Sequence, residues 1–337
     1  MSVFVDTVTL DHVCAARERI AGRVALTPAP VAQPLSAHVG ATVRCKLESL
    51  QPTGSFKVRG AWSHLLAHPD GGPPVAYSTG NHGRAVAVAA RELGRRATIV
   101  VGGDTEPGKV EALRACGAEV RIEGDTQDDA AAAAEALARE SGRDLVPPFD
   151  DPEVIAGQGT IALELLAEAP ELDTIVVPVS GGGLIAGIAL AAKALAPRIR
   201  IVGVGAARAP AMCESLDAGY PIASPEGPTL ADSLRGGLGP HNRHTFALAR
   251  AHVDETHLVD EDAIGEAMAY ALRHQGLVLE GAATVGLAAL LRRAVDVRGE
   301  RVAVVVTGRN VALARVCEVE AVHRDALTAR LGIGVGS

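Results

Sequence analysis

Short runs of β-branched and aliphatic residues alternate along the chain with longer segments whose apolar positions recur at helical spacing. The apolar runs predict strands at residues 42–46, 75–78, 97–101, 119–122, 174–179, 199–204, 257–259 and 301–307. The segments between them predict helices that include residues 84–93, 107–116, 128–140, 154–167, 263–274 and 283–293. Strands separated by helices of this length imply parallel crossovers, so the pattern predicts an α/β fold with doubly wound sheets.

Two clusters of proline and glycine interrupt this alternation, PDGGPP at residues 69–74 and PPFDDP at residues 147–152. Such clusters are typical of loops between structural units. The chain has 337 residues, which is more than the roughly 100–200 of an ordinary domain. We therefore predict a large domain of residues 1–69 and 151–325, a small domain of residues 70–150, and a flexible tail at 326–337.

Composition narrows the class of protein. Apolar residues make up 48% and charged residues 21%, which is typical of a globular chain. The net charge of −8 argues against nucleic acid or an anionic membrane surface as a partner. Five scattered cysteines without a CxxC pair indicate neither a disulfide framework nor zinc spacing. We see no signal peptide and no apolar stretch long enough to span a membrane, and we expect a cytoplasmic protein.

The segment KLESLQPTGSFKVRG at residues 46–60 combines a strand end, a turn and a helix that is predicted to start near Ser55. It places Lys57 in the first helical turn, where the helix dipole disfavours a cation and should lower the pKa of the amine. A neutral amine is a nucleophile that can form a Schiff base with an aldehyde. A solvated lysine at a helix start is the alternative, and the chain has only three other lysines: Lys46, Lys109 and Lys193.

Two further motifs join a predicted strand to a helix. STGNHG at residues 78–83 offers backbone N–H groups that can bind a carboxylate or a phosphate, although ordinary helix capping would also explain it. SGGG at residues 180–183 favours an anion at a helix N-terminus, because a structural turn alone would need fewer glycines. Thr307 closes the last strand, at the end where open α/β sheets bind ligands; alone, its segment reads as a turn.

These motifs occur together and in order, as QPTGSFKVRGA, STGNHGRA, PPFDDPEVIAGQGT, SGGGLIAG, TLADS, VLEGAATVG and VTGRN. Over residues 19–310 the chain closely resembles the serine/threonine dehydratase and serine racemase group of fold-type-II pyridoxal-phosphate enzymes. Within that group, its motifs look most like the dehydratases of hydroxyectoine-utilisation clusters. The resemblance implies a tryptophan synthase β-like fold, pyridoxal 5'-phosphate between a large cofactor-binding domain and a small substrate-binding domain, and a homodimer.

The resemblance also implies roles for individual residues. Lys57 would be the Schiff-base lysine and the acid–base group, and Thr307 would contact the pyridine nitrogen. The remaining cofactor contacts would be Phe56, Asn81, Ser180, Gly181, Gly182, Gly183, Leu184 and Glu280. The substrate carboxylate would meet Ser78, Thr79, Gly80, Asn81 and His82.

The implied reaction is loss of a β-hydroxyl from a small hydroxy amino acid, giving an enamine that hydrolyses to a 2-oxo acid and ammonia. L-Threonine, L-serine, a hydroxyaspartate-like acid and a hydroxyectoine derivative all remain open as substrates. A racemase shares nearly every motif, whereas SFKVRG and STGNHG argue against a β-replacement synthase. A non-catalytic cofactor-binding protein would be expected to lose Lys57 or the glycine loop, and both are intact.

Two departures from the group's pattern bear on function. Thr79 stands where racemases of the group carry a serine and many dehydratases carry an alanine. Gly205 stands where members that bind a divalent cation carry a glutamate, so we expect no metal in the site.

Overall fold

The larger of two parallel sheets lies in the middle of the molecule. In a computed structural model, described for residues 8–239 and 242–332, its strands follow the spatial order β1-β9-β6-β7-β8. Every pairing between them is parallel. The strands are β1 (Thr42–Leu47), β6 (Thr174–Pro178), β7 (Arg200–Ala206), β8 (Glu255–Val259) and β9 (Arg301–Val306).

The smaller sheet has the order β4-β3-β2-β5 and is also parallel. Its strands are β2 (Pro74–Tyr77), β3 (Thr98–Val101), β4 (Glu119–Ile122) and β5 (Asp144–Leu145). All the predicted strands are confirmed, with ends that shift by up to two residues. The pattern missed β5, because two residues are too short to show a period.

Helices separate the strands, as parallel pairing requires. The first six are α1 (Leu10–Arg19), α2 (Gln33–Val39), α3 (Lys57–Ala67), α4 (Asn81–Glu92), α5 (Pro107–Ala115) and α6 (Gln127–Ser141). The others are α7 (Pro152–Glu168), α8 (Gly183–Leu195), α9 (Ala211–Ala218), α10 (Thr245–His252), α11 (Glu261–Gln275), α12 (Gly281–Leu291) and α13 (Leu313–Leu331).

The larger sheet has an apolar core on each face. Along β9, Val302, Val304 and Val306 belong to one buried cluster, together with side chains of α2, α11, α12 and α13. Ala303 and Val305 belong to a second cluster, on the side of α1, α7, α8 and α10. Because successive side chains of a strand point to opposite faces, this alternation shows that helices cover both sides. The predicted doubly wound α/β architecture is confirmed.

Helix α3 lies at the junction of the two sheets. Its residues Val58, Trp62 and Leu65 are buried in the apolar cluster of the smaller sheet, which also contains side chains of α4 and β3. Its opposite side packs on α7, where a Cβ added to Gly157 would lie 2.7 Å from the Arg59 carbonyl oxygen. The helix that begins at Lys57 therefore packs against both the smaller sheet's core and α7.

The prediction of a flexible tail from residue 326 is wrong for residues 326–331, which continue α13. The buried side chain of Leu327 fixes this last part of the helix against the core. Residues 333–337 lie outside the described part of the chain. No helix in the described part is both long and apolar enough to cross a membrane.

Candidate active site

The carboxyl ends of several parallel strands meet at one edge of the larger sheet, next to the first turn of α3. The Phe56 N–H donates to the Thr307 carbonyl oxygen at 3.1 Å, and the Arg309 N–H donates to that of Gly54 at 2.9 Å. Ser55 pairs with Gly308 as an isolated antiparallel bridge. These bonds hold the segment before Lys57 directly against the segment that follows β9.

Lys57 is the first residue of α3, which confirms the prediction of a lysine in the first helical turn. Its Nζ donates to the carbonyl oxygen of Pro148 at 2.6 Å and lies 5.3 Å from the centre of the Phe56 ring. Burial lowers the pKa of Lys57 to about 8, because a desolvated ammonium loses its proton more readily. The depressed pKa agrees with the expectation, although burial is its main cause.

The other three lysines are each paired with a carboxylate. Lys46 contacts Glu164, Lys109 contacts Asp232 and Lys193 contacts Asp254. Among the described residues, the carbonyl oxygen of Pro148 is the only hydrogen-bond acceptor of the Lys57 amine. A carboxylate would hold a lysine in its protonated form, so Lys57 is the lysine best suited to react as a free amine.

The glycine loop that follows β6 contains buried N–H groups with no partner. Gly182 has a φ of 93° and precedes the first residue of α8, and residues 181–184 are all buried. Within the described chain, no backbone carbonyl or capping side chain accepts from the N–H groups of Gly182, Gly183 and Leu184. Buried N–H groups are rarely left unsatisfied. The loop therefore suits a phosphate dianion at the helix N-terminus.

Close packing is a second physical reason why these three positions are glycine. A Cβ at Gly181 would overlap the ring of Phe149, and one at Gly183 would lie 2.8 Å from the Phe149 carbonyl oxygen. A Cβ at Gly182 would collide with the methyl group of Met212. Close packing at all three positions and the positive φ of Gly182 therefore both favour glycine in this loop.

Asn81, Glu280 and Asn310 form a hydrogen-bonded chain beside the loop after β9. Asn81 Nδ2 donates to Glu280 Oε1 at 2.7 Å, and Asn310 Nδ2 donates to Asn81 Oδ1 at 2.5 Å. Burial raises the pKa of Glu280 to about 7. In the sequence, Asn310 stood out only as the last residue of the VTGRN motif, and we did not assign it to the site.

The turn after β2 presents N–H groups at the start of α4. Ser78 Oγ accepts from the Gly80 N–H at 3.2 Å, and Thr79 is partly exposed. The N–H groups of Asn81 and His82 have no backbone or capping acceptor in the described structure. This turn is therefore able to bind a carboxylate.

The His82 imidazole is uncharged. Burial, followed by the nearby Lys57, lowers the pKa of His82 to about 3. Its Nε2 lies 2.8 Å from the Val146 carbonyl oxygen and donates to it, which leaves Nδ1 buried without a partner. His82 adds no positive charge next to the Lys57 amine.

The segment of residues 146–150 contacts His82, Lys57 and the glycine loop, and sequence reasoning did not assign it to the site. Beyond the Val146, Pro148 and Phe149 contacts, Asp150 accepts from the backbone N–H groups of Arg243, His244 and Thr245 at 2.6–2.9 Å. Its signal in the sequence was PPFDDP, which we interpreted as a break between domains and as part of a family motif, without assigning a role to its residues. The side chain of Thr245 lies beside Gly182, so Asp150 supports the wall of the glycine loop.

A buried cluster of charged side chains anchors α3 through its residue Arg59. Arg59 is fully buried, donates to both carboxylate oxygens of Glu48 at 2.8 Å, and donates to Glu164 at 2.6 and 2.9 Å. Lys46 Nζ donates to the same Glu164 and to the Thr27 carbonyl oxygen. Two cations and two carboxylates balance, which makes their burial tolerable.

Comparison with known proteins adds independent evidence. The family model described as "Pyridoxal-phosphate dependent enzyme" matches residues 21–308. A Sinorhizobium fredii protein named as a threonine dehydratase is 44% identical over 309 residues, which cover 91% of this chain and 93% of that protein. The L-threonine ammonia-lyase of Thermotoga maritima is 38% identical over 307 residues, which cover 90% of this chain and 76% of that enzyme.

The solved structure of maize serine racemase superposes with a TM-score of 0.87 at 34% identity, covering 95% of this chain and 99% of that one. These similarities confirm the fold-type-II architecture and the pyridoxal phosphate cofactor that the sequence motifs implied. The residues present fit that cofactor. The N–H groups of the glycine loop, which have no acceptor in the described chain, suit its phosphate, and Lys57, which has no carboxylate partner there, suits its aldehyde. The chain belongs to the family of pyridoxal-phosphate dependent enzymes.

Proposed function

We propose that this enzyme is an ammonia-lyase of the threonine/serine dehydratase type. It removes the β-hydroxyl of a small hydroxy amino acid and yields, after hydrolysis of an enamine in water, a 2-oxo acid and ammonia. The observation that carries the proposal is Lys57, a lysine with a lowered pKa and, among the described residues, no carboxylate partner, beside a loop suited to a phosphate. The threonine dehydratase and threonine ammonia-lyase relatives support the same reaction.

In this proposal the chain's own residues hold the cofactor from several sides. Lys57 would bind it covalently, Phe56 would pack beside it, and Thr307 would offer a hydrogen bond to the ring nitrogen. Asn81 and Glu280 would lie beside the ring. The phosphate would be held by Ser180, Gly181, Gly182, Gly183 and Leu184. When bound, pyridoxal phosphate supplies an electron sink that acidifies the Cα proton of an amino acid.

Lys57 performs the proton transfers in this scheme. Its neutral amine removes the Cα proton, and the resulting ammonium can return that proton to the departing hydroxyl. The Pro148 carbonyl oxygen holds the amine in place and cannot itself take the proton. Thr307 offers the ring nitrogen a neutral partner rather than a carboxylate. That choice favours early loss of a β-leaving group over a long-lived carbanion.

The substrate's carboxylate would lie in the turn of Ser78, Thr79, Gly80, Asn81 and His82. The unpartnered N–H groups of Asn81 and His82 support this placement. The likeness to hydroxyectoine-utilisation dehydratases stays a prediction, and a hydroxyectoine-derived acid belongs in the same substrate screen as L-threonine and L-serine.

An amino-acid racemase is the second candidate, because serine racemases are also among the similar proteins. Racemisation needs a proton donor on the face opposite Lys57, and Thr79 is the residue that we place there. The extra methyl group of a threonine restricts χ1 and crowds the space that a serine hydroxyl would use. We therefore place elimination ahead of racemisation.

One experiment separates the two activities. The purified holoenzyme is incubated with L-threonine and with L-serine, and 2-oxo acid, ammonia and the chirality of the remaining amino acid are followed together. We expect 2-oxo acid with little D-amino acid, and Thr79→Ala should keep a measurable elimination rate. D-product that forms quickly in the wild type and vanishes in Thr79→Ala would make the enzyme a racemase first.

We further propose that the enzyme is a cytoplasmic homodimer, as the family resemblance implies, and that residues 70–150 form its small substrate-binding domain. The four strands of the smaller sheet all fall within that range, which supports the division. Light scattering coupled to size-exclusion chromatography tests the dimer, since a monomer at working concentration would contradict it.

A further inference from the structure

A second cluster of chemically active side chains lies away from the active site, where α3 meets the smaller sheet. His64 and His68 are four residues apart at the C-terminal end of α3, and Asp144 is the first residue of β5. One ligand atom from each of these three residues lies within 4.8 Å of the other two. His68 is the C-cap residue of α3, and the centre of its ring lies 4.4 Å from that of His64.

Each imidazole has its Nδ1 bonded to an oxygen outside the cluster and its Nε2 directed into the cluster, where the Nε2 of His64 carries a proton that a metal has to displace. His68 Nδ1 lies 2.9 Å from the His64 carbonyl oxygen and donates to it, so its Nε2 carries the free lone pair. His64 Nδ1 lies 3.0 Å from Asp151 Oδ1, while its Nε2 lies 3.0 Å from Asp144 Oδ1. A histidine ligand typically donates its second N–H to a carboxylate or a carbonyl oxygen in this manner.

The cluster is accessible from solvent. His64 is buried, but His68 is exposed, and both His68 and Asp144 line a surface cavity of about 390 Å³. Asp70 also lines this cavity. The cavity leaves room for the water molecules that would complete a coordination shell.

Positive charge opposes a metal here, because Arg95 pairs with Asp144, Arg143 lines the same cavity, and His64 is an imidazolium while both of its nitrogens donate to carboxylates. Arg95 Nη2 lies 3.2 Å from Asp144 Oδ2, and Asp144 Oδ1 accepts from His64 Nε2, so a metal has to replace that His64 proton at Oδ1. The carboxylate of Asp151 behind His64 and that of Asp70 in the cavity offset the charge of the guanidinium. Without a metal, the Nε2 proton of His64 takes the place of the ion and bonds to Asp144 Oδ1.

We propose that His64, His68 and Asp144 form a site for a divalent cation of the Zn²⁺ type. Two imidazoles and one carboxylate are a donor set that Zn²⁺ binds well, whereas Mg²⁺ prefers a shell of oxygens. The ion joins the end of α3 to the first residue of β5 and so ties the smaller sheet to the helix that carries Lys57. His64 is seven residues from Lys57, about 10 Å along the helix axis, so the ion does not touch the reacting atoms.

Titration of the chelator-treated, dialysed holoenzyme with ZnCl₂ by calorimetry tests the site. We expect saturable binding and a rise in melting temperature with ZnCl₂, because a ligand of the folded state stabilises it. MgCl₂ at the same concentrations should produce neither effect.

His68→Asn is the decisive variant. An asparagine can keep the hydrogen bond to the His64 carbonyl oxygen, because its amide nitrogen matches Nδ1, but it has nothing in place of Nε2. We expect Zn²⁺ affinity to fall about a hundredfold or more. His252→Ala is the matched control, since His252 also lies at a helix C-terminus, and it should bind Zn²⁺ like the wild type.

Failure to bind Zn²⁺ in the wild type would overturn the proposal. So would equal affinity in the wild type and His68→Asn, or equal losses in His68→Asn and His252→Ala. Because His68 is exposed, its substitution should not unfold the protein, and circular dichroism of the variant verifies this. Asp144→Asn provides a second ligand change, with the same loss expected.

Discussion

At the scale of single residues, the amine of Lys57 determines whether the chain can hold its cofactor. We expect Lys57→Ala to lose the visible absorption band of bound cofactor and all measurable turnover. The fold should survive, because the Lys57 side chain makes one recorded hydrogen bond and Arg59 fixes α3 independently. Absorption spectroscopy, a 2-oxo acid assay and circular dichroism measure the three outcomes.

Lys193→Ala is the matched control, because its lysine is paired with Asp254 at the surface. It should keep the band and the activity. Borohydride reduction followed by peptide mapping gives an independent answer. If the cofactor were found on Lys46, Lys109 or Lys193, the assignment of Lys57 would be wrong.

Glu280 should make stability depend on pH. Burial raises the pKa of Glu280 to about 7 from about 4.5, so the folded state keeps a proton that the unfolded chain loses. The stabilisation from this proton is complete below pH 4.5 and is lost as the pH rises to 7, by on the order of 3 kcal/mol. Glu280→Gln keeps an acceptor for Asn81 and cannot ionise, so its stability should change less across this range.

Urea unfolding of the cofactor-free proteins at several pH values between 4.5 and 7 measures the difference. The cofactor is removed because its own charges would add to the balance. Parallel curves for the wild type and Glu280→Gln would show that Glu280 does not carry a raised pKa.

The sequence predicted those site residues that can be recognised from their immediate neighbours in the chain. Lys57 was found from its place in a helical turn, and the glycine loop from three consecutive glycines after a strand. Asn310 and Asp150 were missed because their partners, Asn81 and the backbone of residues 243–245, are 93 or more positions away in the chain. A hydrogen bond over that separation leaves no periodicity in the sequence.

At the scale of elements, the segment of residues 146–150 connects the smaller sheet to the glycine loop. Asp150 accepts from three consecutive N–H groups at the start of α10, and bonds to a charged acceptor are among the stronger ones. We expect Asp150→Ala to lower the free energy of unfolding by about 2 kcal/mol. Because Thr245 then loses its support beside Gly182, the dissociation constant for pyridoxal phosphate should rise about tenfold.

Asp150→Asn keeps one carbonyl oxygen and should give a smaller change in both quantities. Asp217→Ala, at an exposed position on α9, should give neither. Denaturant unfolding and fluorescence titration with the cofactor make the two measurements. Wild-type cofactor affinity in Asp150→Ala would show that the N-terminus of α10 does not support the loop.

Element boundaries show where pattern reasoning fails. The predicted start of α3 near Ser55 is wrong by two residues, because Ser55 pairs with Gly308 across the site and so is held in an extended bridge. The predicted tail overlooked the end of α13, which is stabilised by packing of Leu327 rather than by a strong amphipathic pattern. Tertiary contacts decide both boundaries.

At the scale of the whole molecule, α3 connects the two sheets to the chemistry. Its apolar side packs in the core of the smaller sheet, its Arg59 is bound by Glu48 and Glu164 of the larger unit, and its first residue is Lys57. The hydrophobic pattern, the chain length and the proline–glycine clusters predicted a two-part α/β chain but could not reveal that one helix belongs to both cores. That sharing depends on which side chains meet, and only the folded chain brings them together.

The fold also bears on catalytic cations. Gly205 lies in β7, where a Cβ would stand 3.1 Å from both Cys213 Sγ and Leu258 Cδ2, so an acidic side chain at this position would require both neighbours to shift. Nearby, Glu214 accepts from Ser224 Oγ at 2.6 Å, and Asp217 is exposed on α9. Hard cations need several oxygen ligands that converge. We therefore expect turnover of L-threonine or L-serine to be unchanged by chelator and by added Mg²⁺ or Ca²⁺, as followed by 2-oxo acid formation. Activity that disappears with chelator and returns with Mg²⁺ or Ca²⁺ would mean that other oxygens of the chain form a cation site coupled to the reaction.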